Sequence, residues 1–550
     1  MNRTLSLIAA LLLLPLLARG KEGVRVSWIQ AERAITPTTP LPATLRTDTL
    51  LQAWRGERLT AAAMIQGPAD EPLRVRLSAK QGAARAWENA AQFMGFVLTD
   101  RFNTCGYHPE GLPPYRVADR IGDEEELTLG AQQTHPLWCT LEVPRTCRPG
   151  RYQWQLEVVG CRTGRVLARA AMHVQVGSRT LPQPSDYAFH LDFWQQPYSV
   201  ARYYGVPRWS QRHFDLLKPY LRLLARAGQK VASAILFYEP WGEQSHDKFD
   251  AMIQTTRQPD GTWTYDYSVF DHWVELLDSC GIDGQINCFS MVPWDITFRY
   301  RDAFSGRDID LKCTTGSDTY RQLWTPFLRA FAQHLKDKGW WDKTCIAMDE
   351  RGLPAMLDAY SVAQEAVPGI KMALAGNRHP ELVDKLQDYC IAYGHAFGPE
   401  ELQARRARGQ VSTFYTCCTE QWPNIFTNSQ PYEATFLPLY AVANGFDGYL
   451  HWSWLNWQDD PLHDSRFRMF GSGDTFCVYP GPCSSVRFEG IIQGVQLTEK
   501  VRLLRQEFEA SGRTDALQRL DEAMRPFSEG HIQRDAVPAA LRQLKALLNS

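Results

Sequence analysis

From residue 21 to about residue 180, apolar and polar residues alternate in short runs broken by Gly, Pro and polar turns. Leu73-Arg74-Val75-Arg76-Leu77, Leu137-Trp138-Cys139-Thr140-Leu141-Glu142-Val143 and Tyr152-Gln153-Trp154-Gln155-Leu156-Glu157-Val158 carry this period of two. It places one face of a strand in a core and the other in water. The turn Arg148-Pro149-Gly150 predicts a hairpin between the last two runs. Together these runs predict an antiparallel β-sandwich ending near Val176.

The pattern changes after Leu181-Pro182-Gln183-Pro184, which reads as a linker. Strand-like runs now alternate with helical spacing. The expected strands are Tyr187–Trp194, Ala232–Glu239, Asp283–Ser290, Thr344–Glu350, Lys371–Gly376, Asp388–Gly394, Val411–Cys418 and Gly448–Trp454. Between them, Phe214-Leu217-Leu221-Leu224, Phe270-Trp273-Leu276-Leu277 and Trp324-Leu328-Phe331-Leu335 recur at helical intervals. Eight such units predict an α/β fold, a (β/α)8 TIM-type barrel; the count favours closure over a doubly wound sheet. From about Gln496 the chain becomes helical and charged, as in Glu499-Lys500-Val501-Arg502, which predicts a helical cap on the barrel. The expected division is a signal peptide over 1–20, a β-sandwich over 21–180, a barrel over 181–495 and a helical extension over 496–550.

A formal charge of -2 and the lack of a long basic run argue against nucleic acid as a partner. The N-terminus shows Arg3, an apolar stretch from Leu5 to Ala18, then Arg19-Gly20-Lys21. That is a signal-peptide pattern, so the protein is expected to be exported, periplasmic or secreted. No run of about 20 apolar residues predicts a transmembrane segment. Thirteen Cys leave at least one thiol unpaired. Cys288, Cys345 and Cys390 sit in apolar runs and are expected to be buried. Cys105, Cys139, Cys147 and Cys161 could pair. The sequence leaves the oligomeric state open.

The apolar run Cys345-Ile346-Ala347-Met348 closes on two adjacent carboxylates, Asp349-Glu350, followed by the turn Arg351-Gly352-Leu353-Pro354. Three other Asp-Glu pairs, at 70, 123 and 521, lie in polar or helical surroundings. Barrel active sites lie at the C-terminal ends of the strands, and this pair ends the fourth. Other strand ends or the loops after them offer Trp241, Trp294, Asn377, Tyr393, Tyr415, Trp452 and Trp457. Aromatic faces with a few polar groups suit sugars, whose C–H faces stack while their hydroxyls need directed hydrogen bonds. Motifs for metalloprotease, serine hydrolase, P-loop and dinucleotide chemistry do not occur.

Most glycosidases place two carboxylates on opposite sides of the scissile bond. Neighbours on one strand end do not, and successive strand side chains point to opposite faces. Both can serve one site only if the backbone leaves strand geometry there. Adjacency fits a 2-acetamido sugar whose own carbonyl oxygen attacks the anomeric carbon. One carboxylate, Asp349, then orients the acetamido N–H as an anion; the other, Glu350, is the acid and then the base.

Several stretches resemble glycoside hydrolase family 123, the exported β-N-acetylgalactosaminidases. They are Ala201-Arg202-Tyr203-Tyr204-Gly205, Ser290-Met291-Val292-Pro293-Trp294, Ile346-Ala347-Met348-Asp349-Glu350-Arg351 and Thr413-Phe414-Tyr415-Thr416-Cys417-Cys418. Further on come Pro423-Asn424-Ile425-Phe426-Thr427, Asp447-Gly448-Tyr449-Leu450 and Gly473-Asp474-Thr475-Phe476, with a weaker match at Ala53-Trp54-Arg55-Gly56-Glu57-Arg58. The resemblance implies a (β/α)8 barrel behind a β-sandwich. It implies retention of configuration through an oxazoline, without metal or cofactor. It carries the family's acid pair onto Asp349 and Glu350. It also puts Trp241, Trp294, Tyr415, Asn424, Glu433, Trp452 and Trp457 near the sugar. The expected activity is that of a retaining exo-β-N-acetylgalactosaminidase on glycan or glycolipid ends. Two alternatives stay open: a hydrolase of another 2-acetamido sugar such as β-N-acetylglucosaminides, and a non-catalytic glycan-binding protein. The sandwich is expected to brace the barrel rather than bind sugar.

Overall fold

The computed structural model describes residues 23–80, 82–101, 105, 113–122, 124–468 and 470–550. The expected signal peptide falls outside the described residues. The alternating runs of the first segment fold into two sheets. One is five-stranded, in the order Arg25–Ile29, Arg58–Gln66, Thr134–Glu142, Asn89–Thr99, Tyr115–Ile121; the other is four-stranded, in the order Asp48–Arg55, Val166–Thr180, Gly150–Gly160, Leu73–Ala79. Trp28, Phe93, Leu137, Trp154, Leu156 and Val174 fill the space between them. The hairpin expected at Arg148-Pro149-Gly150 does not form, because Thr134–Glu142 and Gly150–Gly160 lie in opposite sheets. A turn residue reports a change of direction, not which edge the next strand meets.

All eight expected barrel strands are present. They are β1 (His190–Phe193), β2 (Val231–Ile235), β3 (Gln285–Phe289), β4 (Thr344–Met348), β5 (Lys371–Gly376), β6 (Asp388–Ala392), β7 (Val411–Tyr415) and β8 (Gly448–His451). They pair in parallel in sequence order, and β8 pairs β1. The three helices expected from spacing span Gln211–Arg226, Ser268–Cys280 and Asp318–Asp337. Gly448 has a specific reason: a Cβ there would lie 1.8 Å from the carbonyl oxygen of His190 on the neighbouring strand.

The barrel closes between β1 and β2 through side chains. A single backbone bridge joins Leu191 and Gln229. Beyond it, Gln229 Oε1 accepts from Phe193 N at 2.8 Å, and its Nε2 donates to Val231 O at 2.7 Å. Gln195 Oε1 accepts from Ser233 N at 2.8 Å. Two glutamine amides thus stand in for the missing ladder, satisfying backbone groups that burial would otherwise orphan. Gln229→Met keeps the shape and removes the amide. It should cost about 1–3 kcal/mol, the penalty for a buried backbone group left unmade. The apparent urea midpoint, compared with wild type under one protocol, reads this; an unchanged midpoint would show that the seam closes without it.

The charged segment expected from Gln496 is part of a longer helix, Val486–Ala510. That helix follows β8 and is buried along most of its length, so it belongs to the barrel rather than capping it. Its charges face the sandwich. Lys500 Nζ lies 2.6 Å from Glu57, and Arg58 binds Glu489 with both Nε and Nη2 at 2.9 Å. Glu57 and Arg58 sit on the Ala53–Arg58 turn of the sandwich. The short helices Thr514–Met524 and Val537–Leu548 complete the same core. Such charged residues give no local sign of burial, because the partners Glu57 and Arg58 lie more than 400 positions away. Among the described residues no helix is long and apolar enough to cross a membrane.

Candidate active site

β4 is buried at all five positions and ends at Met348. Asp349 and Glu350 follow in the bend before the helix Leu353–Ala366, whose Pro354 sits in the first turn, where a missing N–H is harmless. Because the strand has already stopped, alternation no longer separates the two side chains. Both open into one cavity of about 460 Å³ at the C-terminal ends of the strands.

Asp349 is half-buried and Glu350 exposed. Asp349 Oδ1 accepts from the Glu350 backbone N–H at 2.7 Å. Loss of solvent and then the neighbouring Glu350 charge push the Asp349 carboxyl up to about 7. The indole N–H groups of Trp241 and Trp294 act in the opposite sense. The Tyr415 hydroxyl, on β7, donates to Glu350 Oε1. Burial and the Glu350 charge hold that phenol well above its ordinary range, so it stays a donor. Arg351 lies 4.8 Å over the Trp294 ring and donates to Trp294 O at 3.0 Å, bracing an indole that is 37% exposed.

Of the residues expected at the site, Asp349, Glu350, Trp294, Asn377, Tyr393, Tyr415 and Trp452 line the cavity. Trp241 stands behind it, stacked on Trp194 at 5.3 Å. Three lie elsewhere. Asn424 is fully buried and ties the loop after β7 together, donating to Cys417 O and Glu420 O at 2.8 Å. Glu433 caps the helix Pro431–Ala443, accepting from Gln430 N at 2.8 Å and Asn424 N at 3.0 Å. Trp457 is core: it donates to Val478 O at 2.8 Å and packs on Tyr220. Nearness to a strand end in sequence does not fix which way a loop residue turns.

The cavity also holds Trp194, Gln244, His395, Glu420, Phe470 and Asp474. Glu420 and Asp474 are the two carboxylates of this wall that no strand-end pattern singles out. Both lie in long loops, and only the Gly473-Asp474-Thr475-Phe476 stretch gave a signal. Asp474 is fully buried. Its carboxyl is pushed up to about 7, mainly by burial.

The sandwich reaches this mouth. Leu98 N donates to His463 O at 2.7 Å and Thr99 bonds Thr427 at 2.8 Å, fixing the loops that follow β7 and β8. Cys105 forms a disulfide with Cys418 on the loop after β7. Cys139, Cys147 and Cys161 remain thiols, and Cys288, Cys345 and Cys390 are buried as expected. The sulfurs of Cys105, Cys417 and Cys418 lie within 4.8 Å of one another, but the disulfide engages two of them. That leaves one thiol, too few for a thiolate metal site.

The model of the Glycoside hydrolase 123 catalytic domain matches residues 194–504, and that of the Glycoside hydrolase 123 N-terminal domain matches residues 36–160. No curated protein matches the chain. Among solved structures, the chain is similar to a family 123 glycoside hydrolase from Clostridium perfringens, described for glycolipid glycan hydrolysis. The identity is 23%, the match covers 96% of this chain and 98% of that one, and the TM-score is 0.83. A β-glucuronidase 2 of Bacteroides uniformis matches at 10% identity over 84% of this chain and 48% of that one, with a TM-score of 0.29, too low to carry an argument. The barrel with its sandwich, the acid pair at the end of β4 and the match over most of the chain lead to one statement: this protein belongs to glycoside hydrolase family 123 and is a glycosidase.

Proposed function

We propose that the protein is a retaining exo-β-N-acetylgalactosaminidase that uses the substrate's acetamido group as nucleophile. The observation that carries this reading is the shared cavity of Asp349 and Glu350, two adjacent carboxylates on one side of any bound sugar. The acetamido carbonyl oxygen attacks C1 while Glu350 gives its proton to the glycosidic oxygen and the C1–O bond breaks. Asp349 accepts from the acetamido N–H and stabilises the oxazoline that results. Water then attacks C1 from the vacated side, Glu350 takes its proton, and the acetamido group is restored. Two displacements retain the configuration. Terminal β-GalNAc on glycans or glycolipids suits a cavity of this size, and the description of the Clostridium perfringens relative supports a glycolipid source.

In the empty site, burial and then the Glu350 charge raise the Asp349 carboxyl to about 7, so Asp349 holds a proton below that pH. An acetamido N–H donated to Asp349 favours its anion and moves the proton to Glu350, where the leaving oxygen needs it. The active form of the pair is therefore singly protonated. Its last proton leaves near pH 7, so kcat/KM should fall as pH rises through about 7. Glu350→Gln should abolish that alkaline limb. A wild-type profile flat from pH 6 to 9 would contradict this assignment.

Aryl glycosides test the reading directly. Aryl β-GalNAc should be hydrolysed, a thiazoline analogue of the oxazoline should inhibit, and aryl β-galactoside, which lacks the acetamido group, should be inert. Equal hydrolysis of the galactoside would establish a protein nucleophile instead. Sugar binding without turnover of any acetamido glycoside would favour a binding protein.

A further inference from the structure

Asp474 stands out among the cavity residues. Neither carboxylate oxygen has a hydrogen-bond partner, although the side chain is fully buried. The nearest polar groups are the indole of Trp452 and the His451 ring, whose Nε2 lies 3.9 Å from Oδ1, beyond hydrogen-bonding distance, while the Arg487 and Glu420 charges act on it from farther away. Buried polar groups are paired in nearly all native structures, and an orphaned carboxylate is among the costliest exceptions. The residue's backbone already serves the fold: His451 Nε2 bonds Asp474 O at 2.9 Å, and Asp474 N donates to Gly471 O at 2.9 Å. The carboxylate makes no hydrogen bond within the fold, yet it lines the cavity.

Its place across the barrel tells what it meets. Asp349 and Glu350 end β4; Asp474 is held against the end of β8 through His451 and Trp452. In the closed eight-stranded order, β4 and β8 are diametrically opposed. A pyranose held by its C1–C2 edge at β4 therefore presents its far edge, C4, to β8. We infer that Asp474 accepts a hydrogen bond from the C4 hydroxyl of the bound sugar and so decides between galacto- and gluco-configured substrates, which differ in the direction of that hydroxyl. This rests on the proposed role of Asp349 and Glu350 at C1 and C2. The carboxylate stays without a partner in the fold because the sugar supplies one. Wrongly directed or missing hydroxyls leave it buried and unpaired, which is how a polar site rejects an analogue.

Three aryl glycosides measured on wild-type enzyme and on Asp474→Ala separate the possibilities: β-GalNAc, β-GlcNAc and 4-deoxy-β-GalNAc. Wild type should lose about 10–100-fold in kcat/KM on 4-deoxy-β-GalNAc, the worth of one hydrogen bond to a charged group. Asp474→Ala should hydrolyse the parent and the 4-deoxy sugar at nearly equal rates and lose its preference between GalNAc and GlcNAc. A structural effect would lower all three rates together and leave their ratios intact. The inference is overturned if wild type hydrolyses the 4-deoxy sugar as fast as the parent, a measurement that needs no variant, or if Asp474→Ala keeps the wild-type ratios. If wild type hydrolyses none of the three, the functional reading itself falls and the role of Asp474 with it.

Discussion

Glu350→Gln lowers kcat/KM by about 10²–10⁴, the usual contribution of a positioned general acid, and the loss grows with the basicity of the leaving group. The amide keeps the volume and can still accept from the Tyr415 hydroxyl, so the cavity is preserved. What it cannot do is deliver a proton to the departing oxygen. A dinitrophenyl glycoside leaves as a stable anion and needs little help. A glycan or ceramide-like alcohol does not, and there the full loss appears. Asp349→Asn separates the two roles. An amide in place of the orienting anion weakens the oxazoline whatever departs, so its loss is uniform across leaving groups. A series of aryl leaving groups on both variants makes the comparison. A uniform loss for Glu350→Gln, or a graded one for Asp349→Asn, would reverse the assignment.

Asp119→Ala destabilises the protein by about 3–5 kcal/mol, the cost of leaving a buried charge without its partner. Arg487 is 3% exposed at the junction of sandwich and barrel. Its Nε lies 3.0 Å from Asp119, on the sandwich strand Tyr115–Ile121, and Nη1 and Nη2 donate to the carbonyls of Ile425, Gly473 and Phe476. Burial lowers and the Asp119 charge raises the affinity of the guanidinium for its proton; a guanidinium is basic enough to stay charged even when Asp119 is removed. Because Gly473 precedes Asp474, the same substitution should loosen the cavity wall. Apparent thermal unfolding, compared with wild type at one scan rate, reads the loss; the chain is too large to assume one transition. Removing both charges, in Asp119→Leu with Arg487→Met, should cost less than Asp119→Ala alone. If the double variant is the worse of the two, the pair is not what Arg487 contributes.

Local patterns made the barrel legible. The eight strands are mostly apolar runs of four to six residues buried on one face by the barrel interior and on the other by the helices, so each announces itself without reference to the others. Helical spacing is equally local, and the helices at Gln211–Arg226, Ser268–Cys280 and Asp318–Asp337 follow it. The same locality misled where the partner is distant. Thr134–Glu142 and Gly150–Gly160 look like a hairpin because only seven residues part them, yet each finds its neighbours in a different sheet. Glu489 and Lys500 look solvated until the Glu57–Arg58 turn is brought against them, and Glu499 until the backbone of Ala188 and Phe189 donates to it.

At the site, the sequence by itself determined the end of β4 and the adjacency of Asp349 and Glu350, because both are properties of one short segment. It also determined the ring of strand-end aromatics, from which Trp294, Tyr393, Tyr415 and Trp452 reach the cavity. Only the tertiary structure decided which loop residues join them. It turned Asn424, Glu433 and Trp457 inward to loop, helix cap and core, and brought Glu420 and Asp474 to the wall from loops whose course no periodicity encodes. The physical reason is the range of the forces that place each group. A strand end is set by hydrophobic alternation over a few residues, whereas a buried carboxylate opposite it is set by barrel closure and by the Arg487–Asp119 contact across two domains.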